Sequence, residues 1–67
     1  MTLTINGEVQ NVPSTIVNVQ QLLEYLHLAD RIVVVEINRD ILQKQQHTST
    51  ALTDGDIIEL VHFVGGG

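Results

Sequence analysis

Only one stretch of this chain carries a helical apolar period. Val19, Leu22, Leu23 and Leu26 fall at i, i+3, i+4 and i+7, a single stripe along one side of a helix. Asn18 is a suitable N-cap, and Gln21 three residues later can reach back as in a capping box. Val17 and Leu22 occupy the positions of a hydrophobic staple. The helix is expected within Val17 to Leu28. Its end is less sharply marked, because the stripe fades at Leu28-Ala29 and no Gly caps it. One helix with one apolar face cannot bury that face alone. The other segments must supply a partner surface, and their patterns are those of strands.

Leu3 and Ile5 alternate with Thr2, Thr4 and Asn6, the period of a half-buried strand. Asn6-Gly7 is a hairpin turn signal, since both residues tolerate positive φ. A second strand is expected over about Glu8 to Val12, ending at Pro13, which cannot donate to a ladder. A two-residue turn sets Glu8 opposite Ile5, and one extra turn residue sets Val9 there. The slip exchanges faces, and the register with Val9 inside is favoured. Ile32 to Ile37 is rich in β-branched residues, as suits a central strand with Val33, Val35 and Ile37 toward the core. Asn38-Arg39-Asp40 is a turn, and Ile41-Leu42 can form a short strand. Gln43 to Thr50 is polar and expected to be irregular, with Leu52 as its anchor. Thr53-Asp54-Gly55-Asp56 is a further turn, and the last strand runs from Ile57 to Phe63 or Val64. The expected class is α+β: a mixed sheet of four to five strands with one main helix packed on one face. Hairpin, helix and later strands together suggest a β-grasp, or ubiquitin-like, arrangement with the last strand beside the first.

A chain of 67 residues makes one domain. A domain near this size buries only about 60% of the surface its unfolded chain exposes. Without Trp, and with one Tyr and one Phe, the core must be built of Val, Ile and Leu. The absence of Cys excludes a disulfide framework, a thiol nucleophile and thiolate metal ligands. The formal charge is −5, with Arg31, Arg39 and Lys44 the only cations besides His and the amino terminus. That balance lacks the basic footprint nucleic-acid binding requires and favours a basic surface on a partner protein. The longest uninterrupted apolar run, Ile32 to Val35, is far too short to span a membrane, and Met1-Thr2-Leu3-Thr4 does not resemble a signal peptide. A cytoplasmic location is expected, with neither nucleic-acid nor membrane partners.

The candidates for chemistry within the domain are weak. His27, His47 and His62 fall on a helix end, a loop and a strand, and no pair has zinc-ligand spacing. They read as surface or half-buried residues. Tyr25 lies beside the apolar stripe and reads as a partly exposed packing residue. Asp54 and Asp56 flank Gly55, where Asp serves local backbone hydrogen bonding. A domain this small has little room for an active-site pocket, so an enzyme acting alone is not expected.

The last strand and the residues after it carry more. With Glu59 facing water, Ile58 and Leu60 are core residues, and Ile57, Val61 and Phe63 share the face of Glu59. Two readings stand at this point. Either that face is an open partner site, or the helix covers it and Glu59 sits at the rim. Beyond Val64 come Gly65, Gly66 and Gly67, which pack no side chain and lose much entropy on ordering. The expected division is a domain over 1–64 and a flexible tail over 65–67. Three extended residues reach roughly 10 Å, and without side chains they can enter a narrow channel. A carboxylate at Gly67 is ionised at neutral pH. It can attack the α-phosphate of an ATP held by another protein, and the acyl-adenylate formed is open to sulfur or nitrogen nucleophiles. The alternative is a frayed end.

The ending Asp54-Gly55-Asp56-Ile57-Ile58-Glu59-Leu60-Val61-His62-Phe63-Val64-Gly65-Gly66-Gly67, on a β-grasp order, resembles the sulfur carrier proteins of thiamin biosynthesis, the ThiS family. The likeness extends over the whole chain: the hairpin Leu3 to Val12, the helix Val19 to Leu28 and the strand Val33 to Asn38. A Gly-Gly terminus is shared with molybdopterin-synthase small subunits and ubiquitin-like modifiers, which are the alternative readings. The approach to the glycines resembles the thiamin branch. The resemblance implies a carrier rather than an enzyme, adenylated at Gly67 by a ubiquitin-activating-type adenylyltransferase. That partner uses ATP and magnesium, and the carrier itself binds no cofactor and no metal. A sulfur donor protein would then convert the adenylate to a thiocarboxylate, whose sulfur passes to thiazole synthase. Gly65 and Gly66 would keep the arm slim. Ile57, Val61, Phe63 and Val64 would dock the partners.

Overall fold

A computed structural model describes residues 1–62; Phe63, Val64 and the three glycines lie outside the described residues. Five strands and one α-helix run in the order β1 (Thr2–Ile5), β2 (Glu8–Asn11), α1 (Val19–Tyr25), β3 (Val33–Ile37), β4 (Asp40–Leu42) and β5 (Ile57–His62). A 3-10 turn, Lys44–Gln46, lies between β4 and β5. The strands form one sheet in the order β2-β1-β5-β3-β4. β5 runs parallel to β1 and antiparallel to β3, so the last strand occupies the centre beside the first. This is the β-grasp arrangement, α+β with a mixed five-stranded sheet.

The core lies between the sheet and α1. Leu3, Ile5, Val35, Ile37, Ile58 and Leu60 from the sheet meet Val19, Leu22 and Leu23 from the helix. Each such side chain, fully buried, contributes about 1.5–3 kcal/mol relative to exposure. The alternation expected along β3 and β5 holds, and Leu52 anchors the segment after β4. The helix packs on this face, which removes the reading in which it covers Ile57, Glu59 and Val61.

The helix begins as its sequence directs. Asn18 Oδ1 accepts from the Gln21 N–H at 2.8 Å. The Gln21 side chain reaches back one residue further than a capping box requires, accepting from the Val17 N–H at 2.8 Å. The two remaining first-turn amides are satisfied by the later polar segment: Val19 donates to Thr50 O and Gln20 to His47 O. Val17 itself is exposed.

α1 stops at Tyr25, earlier than the apolar stripe suggests. His27 adopts φ +61°, His27 N–H donates to Glu24 O, and Leu28 N–H donates to Leu23 O. This pairing is a Schellman motif with His where Gly is usual. A left-handed residue turns the chain without glycine, so sequence inspection for Gly misses the cap.

Two expectations are corrected. The hairpin closes with two residues, Asn6 at φ +50° and Gly7 at φ +83°, and sets Ile5 opposite Glu8 and Thr4 opposite Val9. Val9 is therefore on the outer face, 72% exposed. Positive φ at both turn residues matches the twist of the flanking strands, and this preference outweighs the gain from burying one Val at a sheet edge. The segment Gln43 to Thr50 is also not wholly irregular. It contains the 3-10 turn and buries His47, which is 6% exposed.

Candidate functional site

Side chains that alternate away from the core give the sheet an open outer face. Ile57, Glu59 and Val61 project from β5, Val34 and Glu36 from β3, and Ile41 from β4. The register sets Val61 beside Val34 and Glu59 beside Glu36, with Ile41 next to Glu36. Ile57 lies beside Thr4, which in turn faces Val9 across the hairpin. Ile57 and Val61 are each 55% exposed, and no described element covers them. The face combines apolar area with two carboxylates directly opposite each other. Like charges in that position repel, which favours a cation from another molecule over an anion at this face. Glu36, Glu59 and Ile57 border a shallow depression together with Asn38 and Arg39.

β5 delivers this face, and two asparagines hold the strand in place. The backbone pairing of β1 with β5 ends at Ile5 and Ile58. The Asn6 side chain continues it, with Oδ1 accepting from Leu60 N–H at 2.7 Å and Nδ2 donating to Leu60 O at 3.2 Å. At the start of β5, Asn38 Oδ1 accepts from Ile57 N–H at 3.0 Å and its Nδ2 donates to Asp56 Oδ1 at 2.9 Å. Both asparagines have left-handed backbones, φ +50° and +47°, in the turns β1–β2 and β3–β4. Each turn thus does two jobs. The turn signal at Asn6-Gly7 is visible in the sequence; the amide clamp across more than fifty residues is not. Asn6→Gly keeps a backbone suited to the turn and removes both clamp bonds. Chemical denaturation is expected to show a loss of about 1–2 kcal/mol, with amide exchange fastest at Leu60.

The remaining candidates within the domain serve structural roles or stand apart. Asp54 Oδ1 accepts from Thr2 N–H at 2.6 Å, and Asp56 Oδ2 accepts from Thr53 N–H at 2.8 Å, so both carboxylates serve the turn. Tyr25 is exposed at the end of α1. His27, His47 and His62 are not brought together, and among the described residues no three His, Asp or Glu side chains group as a metal site. His47 has its pKa lowered by burial and, secondarily, by the Lys44 charge. Among the described residues, no helix is long and apolar enough to cross a membrane. Ile57 and Val61 are where the alternation put them. Phe63, Val64, Gly65, Gly66 and Gly67, the other candidates from the sequence, lie outside the described residues.

A small β-grasp domain with an open apolar and acidic sheet face and a glycine-ended sequence belongs to the ubiquitin-like class of folds. Comparison with known proteins narrows the class. The ThiS family model matches residues 3–67. The chain is 40% identical over 65 residues to the sulfur carrier protein ThiS of Bacillus subtilis (strain 168), covering 97% of this chain and 98% of that one. It superposes with a TM-score of 0.82 on the crystal structure of the thiamine biosynthesis protein ThiS from Geobacter metallireducens, 38% identical, with both chains fully covered. It is also 43% identical over all 67 residues to part of a thiazole synthase of Paramagnetospirillum magneticum, spanning 20% of that longer protein. The chain belongs to the ThiS family.

Proposed function

We propose that Gly67 is the sulfur-bearing group of this chain and that the outer sheet face presents it to two partners in turn. As a ThiS-family member the protein is a sulfur carrier of thiamin biosynthesis and not an enzyme. In the proposed cycle a carboxylate oxygen of Gly67 attacks the α-phosphorus of ATP on an adenylating enzyme, which also holds the magnesium, and pyrophosphate leaves. Sulfur released by a donor protein at the hydrosulfide level then attacks the carbonyl carbon, AMP leaves, and the sulfur loses its proton to solvent, giving a thiocarboxylate. Thiazole synthase accepts the sulfur. The chain contributes no cofactor to any of these steps. Its contribution is an arm without side chains, Gly65 to Gly67, and a docking set of Ile57, Val61, Phe63 and Val64.

The observation that carries this reading is the uncovered face on β5, the described strand that precedes the glycines in sequence. Contiguous apolar surface on a small domain marks a partner site, and Glu36 with Glu59 suits a basic partner surface. The whole-length match within a thiazole synthase supports that enzyme as one partner. The double substitution Ile57→Ser and Val61→Ser removes the apolar contact while leaving the buried face intact. Calorimetric titration against thiazole synthase is expected to show affinity reduced at least about tenfold, with the thermal transition retained. Raising salt should weaken binding of the unaltered chain as well. Unaltered affinity in the double variant would remove this face from the reading.

A further inference from the structure

Asn6 differs chemically from every other asparagine in the chain. Asn11 and Asn18 precede Val12 and Val19, and Asn38 precedes Arg39, so in each a Cβ crowds the backbone nitrogen that follows. Asn6 precedes Gly7, where the space a Cβ would fill is open, with no heavy atom within 4 Å. Both turn residues are exposed, so water reaches them. The Asn6 carboxamide carbon and the Gly7 nitrogen belong to consecutive residues and close a succinimide ring when they bond. That reaction needs no further residue placed by the fold. It needs a side chain free to turn and an uncrowded nitrogen.

We propose that Asn6 is a site of non-enzymatic modification, which loses its side-chain nitrogen through a succinimide formed with Gly7 and thereby unfastens β5 from the hairpin. Hydroxide removes the Gly7 N–H proton, and the nitrogen attacks Asn6 Cγ. The N–Cγ bond forms, the Cγ–Nδ2 bond breaks, and Nδ2 leaves as ammonia with a proton from water. Water then opens the ring. Cleavage between Cγ and the ring nitrogen gives an aspartyl residue. Cleavage between the main-chain carbonyl carbon and that nitrogen gives an isoaspartyl residue, whose chain runs on through Cβ and Cγ. The sum is a carboxamide and water giving a carboxyl group and ammonia, with nothing oxidised or reduced.

In the fold the carboxamide is held on β5. Oδ1 accepts from Leu60 N–H at 2.7 Å and Nδ2 donates to Leu60 O at 3.2 Å, across 54 residues of chain. Asn6 N–H also donates to Ile58 O at 2.9 Å. Cγ cannot turn toward Gly7 while both side-chain bonds stand. Conversion therefore proceeds from hairpins in which the clamp has opened, and its rate follows that opening. Either product ends the clamp. A carboxylate only accepts, so the bond to Leu60 O is lost and an ionised oxygen faces that carbonyl. The isoaspartyl form also adds a methylene to a two-residue turn whose left-handed backbone, φ +50° and +83°, matches the strand twist. The pairing of Ile5 with Glu8 depends on that turn. The chemistry is independent of the sulfur-carrier reading, although Leu60 lies between Glu59 and Val61 of the outer face.

Intact mass and fragmentation of the folded chain held at mildly alkaline pH, with and without urea below its unfolding transition, test the proposal. An exchange of O for NH is expected at Asn6, faster at higher pH and in urea, while Asn11, Asn18 and Asn38 keep their amides. The isoaspartyl product, separated by chromatography, should show amide exchange at Leu60 about two- to tenfold faster than the parent chain. Gly7→Asn puts a side chain beside the attacking nitrogen. In the urea-unfolded chain, where no clamp exists, it should slow conversion at Asn6 severalfold. Retention of the Asn6 amide in the folded chain while the urea-unfolded chain converts there would overturn the proposal. So would equal conversion at the other asparagines, a rate indifferent to Gly7→Asn, or Leu60 exchange unchanged in the isoaspartyl product.

Discussion

Ile58→Ala is expected to leave much of the protein unfolded at 25 °C, while Ile57→Ala, one residue away, leaves its stability within about 0.5 kcal/mol. Ile58 is fully buried at the centre of the sheet, paired with Ile5 of β1 on one side and Ile37 of β3 on the other. Its carbonyl also accepts from Asn6 N–H at 2.9 Å, where the hairpin turn meets β5. Truncating a buried Ile costs about 2–5 kcal/mol through lost burial and the cavity left behind. A single core of this size rarely supplies more than about 3–5 kcal/mol in total, so this one loss is comparable to the whole stability. Ile57 has the same chemistry but faces outward, where truncation opens no cavity. Urea denaturation of the two variants in parallel checks this. A loss below about 1 kcal/mol at Ile58, or equal losses at both, would contradict the assignment of the two faces.

Adding a single Ala after Gly67, or deleting Gly67, is expected to abolish sulfur loading with no change in the thermal transition. The proposed chemistry requires the carboxylate at a fixed reach from the docking face. One extended residue changes that reach by about 3.3–3.6 Å. Misplacement of a reacting group by about 1 Å can already cost a hundredfold in rate. An added Ala also places a methyl group beside the carbonyl that both nucleophilic displacements must approach. The thermal transition is expected to hold because glycine carries no side chain to bury. Single-turnover loading assays with the adenylating enzyme measure this directly.

Much of the fold was legible because local signals and burial agree in it. The start of α1 at Asn18, the inward set Val35, Ile37, Ile58 and Leu60, and the turn at Asp54-Gly55-Asp56 each rest on short-range chemistry. The misses have a common physical origin in choices made by tertiary context. The register of β2 depended on a turn preference outweighing one buried Val. The end of α1 depended on His27 taking a left-handed conformation that Gly usually supplies. The burial of His47 is not visible in the polar run Gln43 to Thr50, because its cause is distant: that run must supply carbonyls to the first amides of α1. The clamps at Asn6 and Asn38 were hidden in the same way, since a turn signal accounts for an asparagine without any distant partner. On the site, alternation alone identified Ile57 and Val61, but it could not say which face the helix would cover. Their exposure in the fold decides that.

The measurement that bears most directly on the role of Gly67 is the intact mass of this chain after incubation with its adenylating enzyme, ATP, magnesium and a sulfur donor. The mass is expected to rise by one sulfur-for-oxygen exchange, and fragmentation is expected to place the change on Gly67. The original mass should return once thiazole synthase and its substrates are added. An unchanged mass in the presence of active partners, or a sulfur found on any other residue, would contradict a carrier function at Gly67.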